Sequence, residues 1–189
     1  TLAGSDMKFR STRDSTESVT VSEAISRGLA PDGGLYVPDE IPRIDPSDFA
    51  GDDPIETIAE RMLAPFFQGD VLASELAEIC RTTFAFPIPV TRVGETMRVL
   101  ELFHGETAAF KDVGARFLAA CLSRLNEGAD QPLTILVATS GDTGAAVASA
   151  FEGLPNVEVV VLYPLGRVSD RQEKLLTCWG DNVETYGVQ

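Results

Sequence analysis

Leu133-Thr134-Ile135-Leu136-Val137-Ala138-Thr139-Ser140-Gly141-Asp142-Thr143-Gly144 is the stretch that decides the fold. Its first six residues form an apolar run between Pro132 and Ser140, as expected of a strand buried on both faces. Two glycines then allow a tight turn, and residues 145–154 read as a helix stopped by Pro155. Residues 157–163 read as a second buried strand. Residues 169–179 read as a helix capped by Ser169, and Val183–Val188 as a last strand. The order β-α-β-α-β means a parallel sheet with right-handed crossovers.

Upstream, Lys111–Leu125 has helical spacing, with Phe117, Leu118, Cys121, Leu122 and Leu125 on the core side and Gly128 as its stop. Residues 99–102 read as a short strand. Phe86-Pro87-Ile88-Pro89 interrupts regular structure and is the expected domain boundary. Before it, residues 7–86 hold short helices and turn-rich connectors such as Pro31-Asp32-Gly33-Gly34 and Asp45-Pro46-Ser47. One helix is expected to start with Ser22 as cap and end near Gly28. A second runs over 54–67, with Ile55, Ile58, Met62 and Leu63 at helical spacing. A third follows Asp70, with Leu72, Leu76, Ile79 and Cys80 on one side. Residues 1–6 precede Met7 and read as an expression scar outside the fold.

The 189 residues suffice for one large domain or two small ones. Hydrophobic residues at 44% and charged residues at 23% exclude a disordered or collagen-like chain. No apolar window reaches membrane-spanning length, so no membrane partner is expected. Fifteen Lys and Arg against 29 Asp and Glu leave a charge of −14, which disfavours nucleic acid as a partner. Cys80, Cys121 and Cys178 show no C-x-x-C spacing, and His104 is the sole histidine, so no metal site is expected. The odd cysteine count and the absence of a signal peptide fit a reducing cytoplasm.

Three segments could carry chemistry. The turn Thr139-Ser140-Gly141-Asp142-Thr143-Gly144 leads from a strand into a helix N-terminus, whose open N–H groups and positive dipole end suit a carboxylate or phosphate. It matches neither a Walker A loop nor G-x-G-x-x-G. The plain alternative is a tight turn in which Asp142 or Thr143 caps the helix. In the second segment, Lys111 follows Phe110 at the start of a helix with an apolar face. An amine in apolar surroundings has its charged form disfavoured and can act as nucleophile, base or Schiff-base former. A surface lysine at a helix start is the alternative. The third segment, Tyr163-Pro164-Leu165-Gly166-Arg167-Val168-Ser169, ends a strand. Arg167 could receive an anion in a crevice flanked by the strand ends after Ala138 and Leu162, or could simply be solvated.

Taken together, several longer stretches closely resemble the threonine synthase family. They are Glu101-Leu102-Phe103-His104-Gly105, Phe110-Lys111-Asp112, Gly114-Ala115-Arg116-Phe117 and 138–146. Leu154-Pro155-Asn156-Val157, Gln172-Glu173-Lys174-Leu175, Ser11-Thr12-Arg13 and Pro31-Asp32-Gly33-Gly34-Leu35-Tyr36-Val37-Pro38 support the match. The resemblance covers nearly the whole chain from Met7. It implies an α/β fold of the tryptophan-synthase-β-like kind (fold type II) of pyridoxal-phosphate enzymes. A small N-terminal mixed region, 7–86, would precede part of a parallel three-layer sheet, 87–189. It further implies pyridoxal 5'-phosphate as cofactor, Lys111 as the residue that holds it with Phe110 beside it, and the Thr139 to Gly144 turn as the grip on the substrate carboxylate.

The family substrate is O-phospho-L-homoserine, which loses phosphate from Cγ and gains water at Cβ to give threonine. Two departures stand out. Glu106 replaces a usual proline and Val113 a frequent phenylalanine. The family's cup for the cofactor phosphate and its partner for the pyridine nitrogen lie downstream of the matched region, so the chain reads as the N-terminal part of such an enzyme. Two other readings stay open. One is a phospho-lyase of this type that releases 2-oxobutyrate, and the other is a non-catalytic anion-binding module. The oligomeric state is not legible.

Overall fold

A computed structural model describes residues 6–14, 16–49 and 51–189. The expected expression scar, residues 1–6, falls outside the described residues except for Asp6. The chain divides into two units, the first ending at Thr82 and the second spanning Thr83–Gln189.

In the first unit, strand β1 (Phe9–Ser11) pairs antiparallel with both β2 (Ser18–Val19) and β3 (Tyr36–Pro38), in the order β2-β1-β3. Strands of two and three residues carry no legible alternation, so this sheet has no forerunner in the sequence reading. Helix α1 (Val21–Arg27) is capped by Thr20 and not, as expected, by Ser22. Thr20 Oγ1 accepts from the Glu23 N–H at 3.2 Å, and Glu23 Oε2 accepts from the Thr20 N–H at 2.8 Å. This reciprocal pair sets the start two residues early. Ser22 lies inside the helix and is buried. It donates its hydroxyl to Asp70, and its N–H donates to the same carboxylate at 3.0 Å.

Helix α2 (Ile55–Leu63) continues as a 3-10 turn over Ala64–Phe67, and a 3-10 turn over Ala73–Glu75 leads into α3 (Leu76–Thr83). Leu72, Leu76, Ile79 and Cys80 are buried, as their spacing predicts, whereas in α2 the buried residue is Ala59 and Met62 is exposed. Burial first, and the charge of Glu60 second, push the Cys80 thiol up to about 11, which makes it an inert core residue.

The second unit opens with a hairpin, β4 (Val90–Val93) and β5 (Met97–Leu100), turning at Gly94 with φ +67°. The strand expected at 99–102 is therefore shifted, antiparallel and outside the main sheet. Every residue of both strands is exposed, so no buried face imposes the alternation by which a strand is recognised. Helix α4 (Lys111–Leu125) keeps its expected limits, and Cys121 and Leu122 are buried on its core side. Strand β6 (Leu133–Ala138), helix α5 (Asp142–Phe151), strand β7 (Val157–Pro164), helix α6 (Asp170–Thr177) and strand β8 (Val183–Val188) follow. Helix α6 begins at the expected Ser169 cap, completed by Gln172.

The three strands are parallel in the order β6-β7-β8, with Ala138 beside Leu162 and Leu162 beside Tyr186. Two right-handed crossovers taken in sequential order set both helices on one face of the sheet. Accordingly α5 packs on β6, β7 and α6, while α6 packs on β8. Val157, Val159, Val161 and Tyr163 are buried, but Leu136 is 67% exposed and Tyr186 51%. The expectation that β6 is buried on both faces is thus corrected: this chain covers one face only. Helix α4 packs on α5. Ala115, Ala119 and Ala120 of α4 and Ala145, Ala146 and Ala148 of α5 are buried, and such small side chains allow close helix approach. Among the described residues no helix is long and apolar enough to cross a membrane.

Candidate active site

Lys111 is the first residue of α4, and Phe110 is its N-cap position. The Lys111 Nζ lies 4.6 Å from the centroid of the Phe110 ring, within range of a cation–π contact. The segment before them is folded tightly. The Ala108 N–H donates to the Gly105 carbonyl at 3.1 Å, and Ala108 has φ +55°, a conformation L-residues seldom adopt. Asp112, 3% exposed, closes this segment. Its Oδ2 accepts from the Thr107 N–H at 3.0 Å, and its Oδ1 accepts from the Thr107 hydroxyl. Gly105 makes room for that carboxylate, which a Cβ there would strike.

The turn from β6 into α5 is built around Thr139. Its Oγ1 accepts from the N–H groups of Gly141 and Gly144 at 3.2 and 3.1 Å. Gly144 is fixed by packing, because a Cβ there would collide with the Thr139 methyl and with Leu176. At Gly141 a Cβ would come within 2.6 Å of the Gln172 amide nitrogen. The N-cap residue of α5, Gly141, offers no side chain, so neither Asp142 nor Thr143 caps the helix. Thr139 takes the Gly141 and Gly144 N–H groups, and those of Asp142 and Thr143 remain the open donors of the first turn. The Thr139 N–H donates to the Leu162 carbonyl at 2.9 Å, which sets the ends of β6 and β7 side by side.

A cleft of about 600 Å³ joins the N-terminal ends of α4 and α5. Phe110 and Lys111 line it at one end and Thr143 at the other, with Leu102, Val113, Gly114 and Leu118 between. Of the residues singled out in the sequence, Lys111, Phe110 and Thr143 thus meet. Thr139, Gly141 and Gly144 shape the turn, and Ser140 and Asp142 are exposed on it. Arg167 is exposed in the turn after β7, where its N–H donates to the Pro164 carbonyl at 3.1 Å, and it does not line the cleft. Cavities of about 590 and 410 Å³ elsewhere in the chain contain neither the lysine nor the turn.

The two departures find simple places. Glu106 accepts from the Ser149 hydroxyl at 2.5 Å and lies 3.8 Å from the Arg116 guanidinium, linking α4 and α5. Val113 is one wall of the cleft. His104 lies 2.7 Å from the Glu101 carboxylate. That carboxyl is held below its usual range, first by a hydrogen bond with Thr91 and then by His104. Two contributors escaped the sequence reading. Gly114 opens onto empty space where its side chain would project, and Asp112 organises the Lys111 loop. A glycine in mid-helix, and a carboxylate one residue past a candidate nucleophile, were the available signals.

Comparison with known proteins gives a consistent picture. A family model described as threonine synthase N terminus matches residues 8–84. Threonine synthase of Escherichia coli (strain K12) is 43% identical over 186 residues, covering 96% of this chain and 42% of that protein. The Saccharomyces cerevisiae enzyme is 35% identical over 203 residues, with 95% and 40% covered. The crystal structure of the Escherichia coli enzyme superposes with a TM-score of 0.85 over 96% of this chain and 42% of its own. A crystal structure of PLP-bound threonine synthase from Brucella melitensis, 34% identical, also gives 0.85, over 96% of this chain and 41% of its own. The chain therefore spans about two fifths of the length of the relatives it matches. In sequence and in fold, the chain is a homologue of threonine synthase and corresponds to that enzyme's N-terminal portion.

Proposed function

We propose that the chain is the part of a threonine synthase that carries the cofactor lysine. The enzyme would convert O-phospho-L-homoserine and water to L-threonine and phosphate. The observation that carries this reading is the cleft in which Lys111 and Thr143, in the first turn of α5, face a common space. Its size and largely apolar walls suit a planar aromatic ring. Lys111 is the residue that would hold pyridoxal phosphate, with the Phe110 ring beside the amine. When bound, that cofactor supplies an electron sink for charge developing on the substrate.

The chain's own residues would do the following. Lys111 takes and returns protons at the substrate Cα and Cβ as phosphate leaves Cγ and water adds at Cβ. The Thr143 side chain and the N–H groups of Asp142 and Thr143 receive the substrate carboxylate at the positive end of α5. Thr139 and Gly144 hold those donors in place. Arg167 offers a second cation for an anionic group near the end of β7. The proposed domains are an N-terminal domain, 7–86, and the first part of the catalytic domain, 87–189. The free cysteines, two of them buried, support a reducing compartment such as the cytoplasm.

The test is a product assay with O-phospho-L-homoserine on the enzyme extended to the length of its relatives. Equal amounts of threonine and phosphate, lost in Lys111→Ala, are expected. 2-Oxobutyrate without threonine would overturn the synthase reading.

A further inference from the structure

We infer that Asp112 is a positioning residue for Lys111. It clamps the 105–110 loop so that the amine is presented to the cleft in one orientation. This deepens the reading of Lys111 given above and rests on it. Asp112 is the most buried carboxylate among the described residues, at 3% exposure, yet the proposed chemistry gives it no task. Both of its oxygens are committed to one residue five positions back, the Thr107 N–H at 3.0 Å and the Thr107 hydroxyl. The bridged segment holds Ala108 at φ +55°, a conformation that persists only when its surroundings enforce it. Gly105 leaves the space the carboxylate fills, and the Gly105 carbonyl accepts from Ala108 at 3.1 Å.

The bridge from Thr107 to Asp112 therefore encloses Ala108, Phe110 and Lys111 in one closed segment. A charged acceptor of two hydrogen bonds is strong where water is excluded. Without it Ala108 relaxes toward ordinary dihedrals, and the orientation of Phe110 and Lys111 within the segment changes with it. The only other lysines, Lys8 and Lys174, lie far from the loop in sequence and serve as internal references.

The experiment combines hydrogen exchange with trace acetylation by acetic anhydride, on the chain itself and without cofactor. The variants are Asp112→Asn, Thr107→Val and Thr107→Ser. In Asp112→Asn and Thr107→Val, exchange of the Thr107 and Ala108 amides is expected to rise about tenfold or more. Acetylation of Lys111 relative to Lys8 and Lys174 is expected to rise about threefold as its seat over Phe110 loosens. The β7 amides stay protected, and Thr107→Ser, which keeps the hydroxyl, restores both readouts.

Unchanged Lys111 reactivity with a loosened loop would overturn the positioning role, as would an unmoved loop. Loss of β7 protection in step with the loop in both disruptive variants would likewise overturn it, by showing a general structural role. Neither readout uses pyridoxal phosphate, so a failure of the cofactor reading is seen separately.

Discussion

Two pairs of sequence signatures behave in opposite ways in the two units. In the first unit, Ser11-Thr12-Arg13 and Pro31-Asp32-Gly33-Gly34 bind each other. The Ser11 hydroxyl donates to the Asp32 carboxylate at 2.8 Å, Arg13 donates to the Asp32 carbonyl at 3.0 Å, and the Leu35 N–H donates to Thr12 Oγ1 at 3.1 Å. In the second unit, 110–112 and 139–144 do not satisfy each other, and Lys111 and Thr143 face an open cleft. Both pairs are rich in Gly, Asp, Ser or Thr and look equally functional on paper. A signature whose polar groups find partners within the fold supports the fold, and one whose groups remain directed into space is available for chemistry.

The comparison can be broken most forcefully at the turn. Gly144→Val places carbon atoms on the Thr139 methyl and Leu176, and overpacking of this kind costs about 1–3 kcal/mol. Urea unfolding of the second unit should show it. Gly141→Ala meets only the movable end of Gln172 and is expected to cost less. An equal loss at the two glycines would mean that packing does not explain Gly144.

A smaller effect of opposite sign is expected at Gly114→Ala. Nothing lies within 4 Å of the added methyl, and replacing a mid-helix glycine gains up to about 1 kcal/mol. Yet the methyl enters the cleft, so trapping of pyridoxal phosphate on Lys111 should fall while the melting temperature rises. Stabilisation with unchanged trapping would show that the cleft floor is not part of the site.

The gentlest change is Ser11→Ala in the first unit, which should lower its unfolding midpoint slightly and leave Lys111 labelling untouched. It also has a pH signature. Gly34 first and Ser11 second hold the Asp32 carboxyl below its usual 3.8. A depressed carboxyl stabilises the fold above its unfolded value, and that contribution is lost as pH falls through the lower folded value. The wild type should thus lose part of its advantage over Ser11→Ala below about pH 4. A difference that instead grows with acid would contradict the bond.

Legibility followed the punctuation of the sequence more than burial. The limits of Lys111–Leu125 and Leu133–Ala138 are readable because a helical apolar pattern and an apolar run there end at breakers, and Val183–Val188 because it follows the turn residues Gly180, Asp181 and Asn182. The β4–β5 hairpin is not, since all its residues are exposed and neither an apolar run nor an alternation marks its strands. The start of α5 was read at Ala145 because Asp142, Thr143 and Gly144 are weak helix formers, and packing of Gly144 against Leu176 overrides that preference. Lys111 and the turn were visible as separate candidates. Their meeting in one cleft depends on the small residues between α4 and α5, a tertiary fact that no local pattern encodes. Arg167 could be placed at a strand end from sequence, but its distance from the cleft could not.

The central claim is that Lys111 is set apart from the other lysines by its site. It is tested most directly by incubating the chain with pyridoxal phosphate, reducing with borohydride and mapping the peptides. The account predicts a single adduct on Lys111, absent in Lys111→Ala and outcompeting Lys8 and Lys174. Labelling spread evenly over the three lysines, or sparing Lys111, would contradict it.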